Sequence, residues 1–323
     1  MDRLLGRRLL VGRNRIGLRP FGQHFVGGGA GGPGGAGQLR RGQGGHHRVD
    51  PVGRAGATVV VNDIAAALDA SDVIDEITTA GSKAVAVSGD ISQRDTADEL
   101  ISTADGLGGL SIVVNNAGIT RDRMLFNMSD EDWDAVIAVH LRGHFLLTRN
   151  AATYWRSKAK EAGGSVYGRI VNTSSEAGLV GPVGQANYGA AKAGIISLTL
   201  TAARGLGRYG VCANAIAPRA RTAMTADVFG DAPEVADGQV DPLSPEHVVT
   251  LVRFLASPAA KDVNGQVFIV YGPRVTLVSA PRVEHRFATD AQAWDPATLS
   301  EEMQGYFAGR DPERNFAATA LME

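Results

Sequence analysis

From residue 57 onward, short apolar runs alternate with longer stretches in which apolar residues recur every three or four positions. Thr58-Val59-Val60-Val61 is a β-branched run closed by Asn62-Asp63. A continuous apolar run of this length, bounded by turn residues, suits a strand covered on both faces. Runs at 84–87, 110–114, 169–172, 211–217 and 267–270 predict further strands, with Pro218 halting the one over 211–217. Between them, helical spacing predicts helices over 65–80, 94–104, 130–152, 185–208 and 245–256. The first carries Leu68, Val73, Ile74 and Ile77 at helical spacing and is stopped by Gly81. Ser129 or Asp130 caps the third, with Asp132 in its first turn. Such alternation predicts an α/β fold: a doubly wound, Rossmann-like parallel sheet with ligands at the carboxyl ends of its strands.

Polar residues fall at those ends. Asp63, Asp90, Asn115-Asn116 and Ser174-Ser175 each follow a predicted strand. One such residue has a plain explanation as a turn former or helix cap; four strands in succession ending this way point to a lined edge. Asp63 fits the carboxylate that accepts hydrogen bonds from the ribose hydroxyls of a dinucleotide, and its charge repels a 2′-phosphate, which favours NAD over NADP.

The first fifty-three residues differ from the rest. They contain no Ser, Thr, Lys or Glu, and are built from Arg, Gly, Leu and His around Gly27-Gly28-Gly29-Ala30-Gly31-Gly32-Pro33. Gly27, Gly29 and Gly32 spell G-x-G-x-x-G, but a glycine run matches any glycine pattern, and no strand precedes it or helix follows it. Three readings compete for 1–53: a disordered tail, a targeting segment whose lack of Ser argues against it, or a GC-rich gene translated out of frame. The coding DNA decides the third: no frame upstream of Arg54 that encodes strand, Gly-rich turn and helix means no frame error. Three parts are thus expected: an atypical Arg/Gly-rich segment 1–53, a dinucleotide-binding domain 54–272, and an extension 273–323. The chain has 323 residues, long for one α/β domain and short for two.

Charge and cysteine content narrow the setting. A net charge of −2 with 20% charged residues gives no pull toward nucleic acid or anionic lipid. The single cysteine, Cys212, rules out a disulfide framework, fits a reducing, cytoplasmic setting, and in its apolar run reads as a buried inert thiol. No apolar run is long enough to span a bilayer.

The chemistry centres on Tyr188 and Lys192, four residues apart in the fourth predicted helix and therefore on one face. A phenol is a poor base at neutral pH, and a cation beside it favours the phenolate. Tyr-x-x-x-Lys on a helix can thus move a proton on and off an alcohol/ketone pair. Taken alone, the pair also occurs on solvated helix faces.

Together, Asn115-Asn116-Ala117-Gly118, Ser175 and Tyr188-x-x-x-Lys192 resemble the short-chain dehydrogenase/reductase family, from about residue 54 to 271. The gap from Ser175 to Tyr188 is the family's usual one and selects Ser175 over Ser174. A narrower likeness is to the (3R)-hydroxyacyl-CoA dehydrogenase part of peroxisomal multifunctional enzymes. It rests on Val59-Val60-Val61-Asn62-Asp63, Arg121-Asp122-Arg123, Ser129-Asp130-Glu131-Asp132-Trp133-Asp134, Val139-His140-Leu141-Arg142-Gly143 and Gly184-Gln185-Ala186-Asn187-Tyr188.

The resemblance implies roles. Tyr188 would be the general acid/base, Lys192 would lower its pKa and hold the nicotinamide ribose, and Ser175 would hydrogen-bond the substrate oxygen. The implied cofactor contacts are Asp63, Asp90, Ile91, Asn115, Asn116, Ala117, Gly118, Tyr188, Lys192 and Pro218. Where many members have an asparagine holding a relay water, this chain has His140, which either does that job or is satisfied inside its helix. No metal is implied.

A second departure is the missing first strand and Thr-Gly-x-x-x-Gly-x-Gly turn. Counted back from Asp63, the turn belongs near 39–45, where the chain reads Leu-Arg-Arg-Gly-Gln-Gly-Gly. Without it no glycine-lined helix N-terminus receives the pyrophosphate, and the sheet lacks a central strand; weak NAD binding and poor stability are expected.

Residues 219–243, with Thr222, Met224 and Thr225, read as a substrate lid or a plain surface loop. Arg121 and Arg123 are candidates for a CoA phosphate, or solvated arginines. A short helix at 299–307 is expected to pack on a neighbouring subunit of a homodimer or homotetramer. The substrate implied is a 3-hydroxyacyl-CoA, with a hydroxysteroid or a 3-oxoacyl thioester of an acyl carrier protein as alternatives. A function of another class is a non-catalytic dinucleotide-fold protein impaired in cofactor binding.

Overall fold

The computed structural model describes residues 8–12, 57–69, 71–221 and 240–310. Its strands are β1 (Arg8–Gly12), β2 (Thr58–Asp63), β3 (Ala84–Ser88), β4 (Ile112–Asn115), β5 (Gly168–Thr173), β6 (Val211–Arg219), β7 (Val267–Tyr271) and β8 (Arg274–Leu277). They form one sheet in the order β3-β2-β1-β4-β5-β6-β7-β8, parallel throughout except for the β7–β8 pair. The helices are α1 (Ala65–Asp69), α2 (Val73–Thr79), α3 (Arg94–Gly106), α4 (Asp130–Ile137), α5 (Gly143–Glu161), α6 (Ala177–Val180), α7 (Ala186–Leu206), α8 (Pro245–Leu255) and α9 (Pro296–Ala308). The doubly wound parallel sheet expected from the alternation is present.

Two covered faces explain the unbroken apolar strands. Val59 and Val61 pack with Ile112, Val114, Val171 and Ile216 under α2 and α8. Val60 and Val113 point the other way, joining Leu100, Leu147, Trp155 and Ile170 under α3 and α5. Neighbouring residues on a strand face opposite sides, so each strand serves both layers.

The expectation that the sheet lacks a central strand is corrected. β1 lies between β2 and β4, with Leu9, Leu10 and Val11 in register with both Val59–Val61 and Ile112–Val114. Five residues of the segment read as non-periodic therefore fill the place, where the order of winding reverses. The Gly-rich turn sought near 39–45 lies outside the described residues, as does the rest of 1–53.

Other boundaries shift for local reasons. The single helix expected over 65–80 is two helices, α1 and α2. The one expected over 130–152 is α4, a wide π-type turn at Ala138–Arg142, and α5. Ser129 is its cap, accepting from Asp132 N at 3.1 Å. Pro218 does not halt β6: it sits inside the strand, opposite Val270. Beyond β7, Gly272 at φ 53° turns the chain into the antiparallel edge strand β8. The helix expected at 299–307 is α9, capped by Asp295, which accepts from Ala297 N and Thr298 N.

Candidate active site

The carboxyl ends of β2, β3, β4, β5 and β6 form one edge, and the polar residues read from the sequence line it. Lys192 is buried on α7, and its Nζ donates to the Thr173 carbonyl at the end of β5, 2.7 Å away. Tyr188 stands one turn earlier, its ring centroid 5.3 Å from Lys192 Nζ. The Ser175 hydroxyl, whose Oγ accepts from Ala177 N at 3.2 Å, lies near enough to the Tyr188 phenol to favour its phenolate. Ser174 turns inward instead: its Oγ donates to the Lys192 carbonyl at 2.8 Å, fixing the β5 end to α7. His140, fully buried, meets the Tyr188 ring edge-on with centroids 5.2 Å apart. All four predicted catalytic residues are thus brought together.

Their surroundings set their protonation. Burial pushes the Lys192 ammonium down to about 7. Burial likewise holds the His140 imidazole well below its ordinary value, and the nearby Lys192 charge adds to this, so the ring is neutral at physiological pH. His140 Nε2 is engaged by the backbone of Ile119, 2.7 Å from its carbonyl and 3.0 Å from its amide. Nδ1 is buried with no hydrogen-bond partner among the described residues. One ring nitrogen is thus held by the backbone of Ile119 and the other has no protein partner among the described residues.

One expectation is corrected. The Tyr188 pKa lies above its ordinary value: burial raises it most, the Ser175 hydrogen bond lowers it, and the Asp122 charge raises it. Lys192 does not lower it in this state, because its ammonium is directed at Thr173 and burial has weakened its own hold on a proton.

A dinucleotide fits this edge on its adenosine side. Asn62 Nδ2 donates to the carbonyls of Val87 and Gly89 at 2.9 and 3.0 Å, and Gly89 N donates to the Asp63 carbonyl at 3.0 Å, which draws the end of β2 to the loop after β3. Asp90 is exposed, its Oδ1 accepting from Ser92 N at 2.8 Å. The Ile91 side chain packs into the core. After β4, Asn116 Oδ1 accepts from Thr173 Oγ1 at 2.9 Å. Gly118 passes close over His140; a Cβ there would lie 2.1 Å from the imidazole Cε1. Pro218 is half-buried at the end of β6.

Sequence reading missed the support beneath. Asn115 Nδ2 donates to Asn172 Oδ1 and Thr148 Oγ1 at 2.8 and 3.2 Å, and Asn172 Nδ2 to Thr199 Oγ1 at 2.8 Å, a buried chain across β4, β5, α5 and α7. This places Asn115 under the edge rather than on it. Asn187 Oδ1 accepts from Tyr188 N at 2.7 Å, and its Nδ2 donates to the Arg121 and Asp132 carbonyls, which pins the start of α7. His144, one turn beyond His140, is also buried, and burial with the Lys192 charge lowers its pKa to about 3. For Asn115, Asn172 and His144 the signal was a polar residue in or beside an apolar run, whereas Asn187 stands in the stretch 184–188 that leads into the Tyr188 helix.

Arg121 and Arg123 are exposed, 3.9 and 3.7 Å from the Asp132 carboxylate, so they are not a bare cationic pair. Most of the expected lid, with Thr222, Met224 and Thr225, lies outside the described residues. No group of His, Cys, Asp and Glu that could hold a metal occurs among the described residues. Cys212 is buried, as expected. No described helix is long and apolar enough to cross a membrane.

Known proteins are similar to this chain. The short chain dehydrogenase family profile matches residues 42–232, so β1 precedes the match. The chain is 77% identical over 274 residues to hydroxyacyl-CoA dehydrogenase ChsB1 of Mycobacterium tuberculosis, covering 83% of this chain and 86% of that protein. It is 42% identical over 228 residues to a 3-oxoacyl-[acyl-carrier-protein] reductase of Synechocystis, covering 68% and 87%. A crystal structure of a short chain dehydrogenase from Mycobacterium avium superposes with a TM-score of 0.71 at 46% identity, covering 82% of this chain and 91% of that one. With the Tyr188–Lys192 helix, Ser175 and the doubly wound sheet in place, this chain belongs to the short-chain dehydrogenase family and is an oxidoreductase acting on CH–OH groups with a nicotinamide dinucleotide.

Proposed function

We propose that this chain interconverts a 3-hydroxyacyl-CoA and its 3-oxo form with NAD. The observation that carries the reading is the Ser175–Tyr188 hydroxyl pair beside buried Lys192 at the carboxyl edge of the sheet. When bound, the oxidised nicotinamide supplies the hydride acceptor and a positive charge. The chain's own residues do the rest. Ser175 Oγ donates to the substrate oxygen and orients it. Tyr188 takes the hydroxyl proton in oxidation and returns it in reduction. Lys192, tethered to Thr173, would hold the nicotinamide ribose and stabilise charge on the phenol with the cofactor bound. Neutral His140 holds the phenol ring edge-on and adds no competing cation.

NAD is proposed over NADP because the Asp63 carboxylate ends β2 where a 2′-phosphate would otherwise sit. The acyl-CoA substrate is supported by the hydroxyacyl-CoA dehydrogenase relative. The likeness to a 3-oxoacyl-[acyl-carrier-protein] reductase supports a second reading, a carrier-protein thioester. Exposed Trp133 and Phe145 on α4 and α5 support a homodimer or homotetramer assembled through α7 and its neighbour. A free, buried Cys212 supports a cytoplasmic setting.

The test is NAD-linked absorbance at 340 nm with (3R)-hydroxyacyl-CoAs, hydroxysteroids and 3-oxoacyl thioesters, each with NAD and NADP. The expected result is turnover of acyl-CoA with NAD at least about tenfold above NADP in kcat/KM, an inversion of that preference in Asp63→Ser, and loss of about 10²–10⁴-fold in kcat in Tyr188→Phe. Calorimetry showing no NAD binding in the full chain would instead assign the non-catalytic class.

A further inference from the structure

Two residues of the site have charged neighbours with no part in the chemistry above. Glu176 follows Ser175 in the loop after β5, and Arg219 follows Pro218 at the end of β6. Their side chains meet in a two-pronged ion pair: Arg219 Nη2 donates to Glu176 Oε1 at 2.7 Å, and Nε donates to Oε2. The two are 23% and 15% exposed, so the pair is largely withdrawn from water. A bidentate, charge-assisted contact fixes orientation as well as distance.

Its location gives it leverage. The β5–β6 register ends at Thr173 opposite Ile216, followed by one more bond, Ser174 N to the Ile216 carbonyl at 2.7 Å. The ion pair is the next link outward, one residue past Ser175. On the other side, the Glu176 carbonyl accepts from Leu179 N and Val180 N at 2.8 and 3.1 Å, opening α6. There α6 lies tight on α7: a Cβ on Gly178 would be 2.5 Å from the Lys192 carbonyl carbon. The guanidinium is backed by the Tyr271 ring, centroid 5.7 Å away. Two residues further on, Arg221 N donates to the Leu243 carbonyl at 2.7 Å.

We propose that the Arg219–Glu176 pair is a positioning latch, holding the Ser175 loop at a set distance from the end of β6 so that the Ser175 hydroxyl stays within reach of Tyr188 and the substrate oxygen. This rests on the reading of Ser175 and Tyr188 given above. Neither charged residue touches the reacting atoms. A serine displaced by about 1 Å loses on the order of 10²-fold in rate. Removing one partner also leaves the other charge partly buried and alone, so single substitutions cost more than a reversed pair.

The experiment compares the full-length chain with Arg219→Ala, Arg219→Lys, Glu176→Gln and the swap Glu176→Arg/Arg219→Glu. Arg219→Ala and Glu176→Gln are expected to lower kcat about 10–100-fold, with KM changing less than about threefold. Arg219→Lys loses less, and the swap recovers about tenfold over the worse single variant. Hydrogen exchange by mass spectrometry, which needs no turnover, is expected to quicken at 174–181 in the two single variants, with protection elsewhere unchanged. Unaltered kcat in an active enzyme overturns the latch, as does a loss confined to KM or exchange that quickens throughout the chain. A wild-type chain inactive on every substrate sinks the catalytic reading instead, and the exchange difference at 174–181 then decides for or against the latch by itself.

Discussion

Lys192 provides the sharpest quantitative test, because the fold holds a lysine where water does not reach. It is 2% exposed, and its ammonium titrates at about 7 against an ordinary 10.5. Between those values the unfolded chain holds a proton that the folded chain has released. Stability therefore rises with pH across that window, at up to about 1.4 kcal/mol per pH unit. Below about 7 the full penalty for charging the buried amine is present, and it amounts to roughly 5 kcal/mol. Lys192→Met keeps most of the apolar stem and removes the titration. It also removes the hydrogen bond to Thr173, a loss of about 1–2 kcal/mol that offsets the two curves without changing their slopes. His144 titrates at about 3 and stays outside the window. The assay is urea unfolding of both proteins, without nucleotide, from pH 6 to 9.5, plotted as the difference in unfolding free energy so that common groups cancel. The variant is expected to be the more stable at pH 6–7, with its advantage shrinking by about 1–1.4 kcal/mol per unit above pH 7. A difference constant across that range would refute the claim that Lys192 is deprotonated so early, and with it the electrostatics drawn for the site.

Three further substitutions test the same geometry. Ser175→Ala is expected to cut kcat by about 10²-fold or more, since it removes the partner of the Tyr188 hydroxyl. Ser174→Ala, which removes only the tie to the Lys192 carbonyl, is expected to cost about 1 kcal/mol of stability and less than tenfold in kcat; equal losses in kcat would overturn the assignment of Ser175. Gly118→Ala drives a methyl into the buried His140 ring and is expected to cost about 1–3 kcal/mol, read as a lowered thermal midpoint with a raised KM for NAD; a midpoint equal to that of the wild type would show that the ring has room to move.

The local periods along this chain determined most of its fold. Val59, Val60 and Val61 read as a strand buried on both faces because each contributes to a different layer, and the helical spacing after each strand closes those layers. The strand-end rule placed Asp63, Asp90, Asn116 and Ser175 along one edge before any coordinates, and the four-residue step from Tyr188 to Lys192 follows from helix geometry alone. What the sequence could not carry is whatever depends on a distant neighbour. Arg8–Gly12 is five residues amid arginine and glycine, too short to show a period, and it becomes a strand only because β2 and β4 flank the gap it fills. Pro218 reads as a stop, yet the register with β7 carries β6 through it. The direction of the Lys192 ammonium, toward the Thr173 carbonyl rather than the phenol, is decided by how α7 lies on the end of β5, and so is the depth that takes water away from it. Charge and proximity could be guessed from spacing; desolvation, which sets the pKa of both partners, arises only when the layers close.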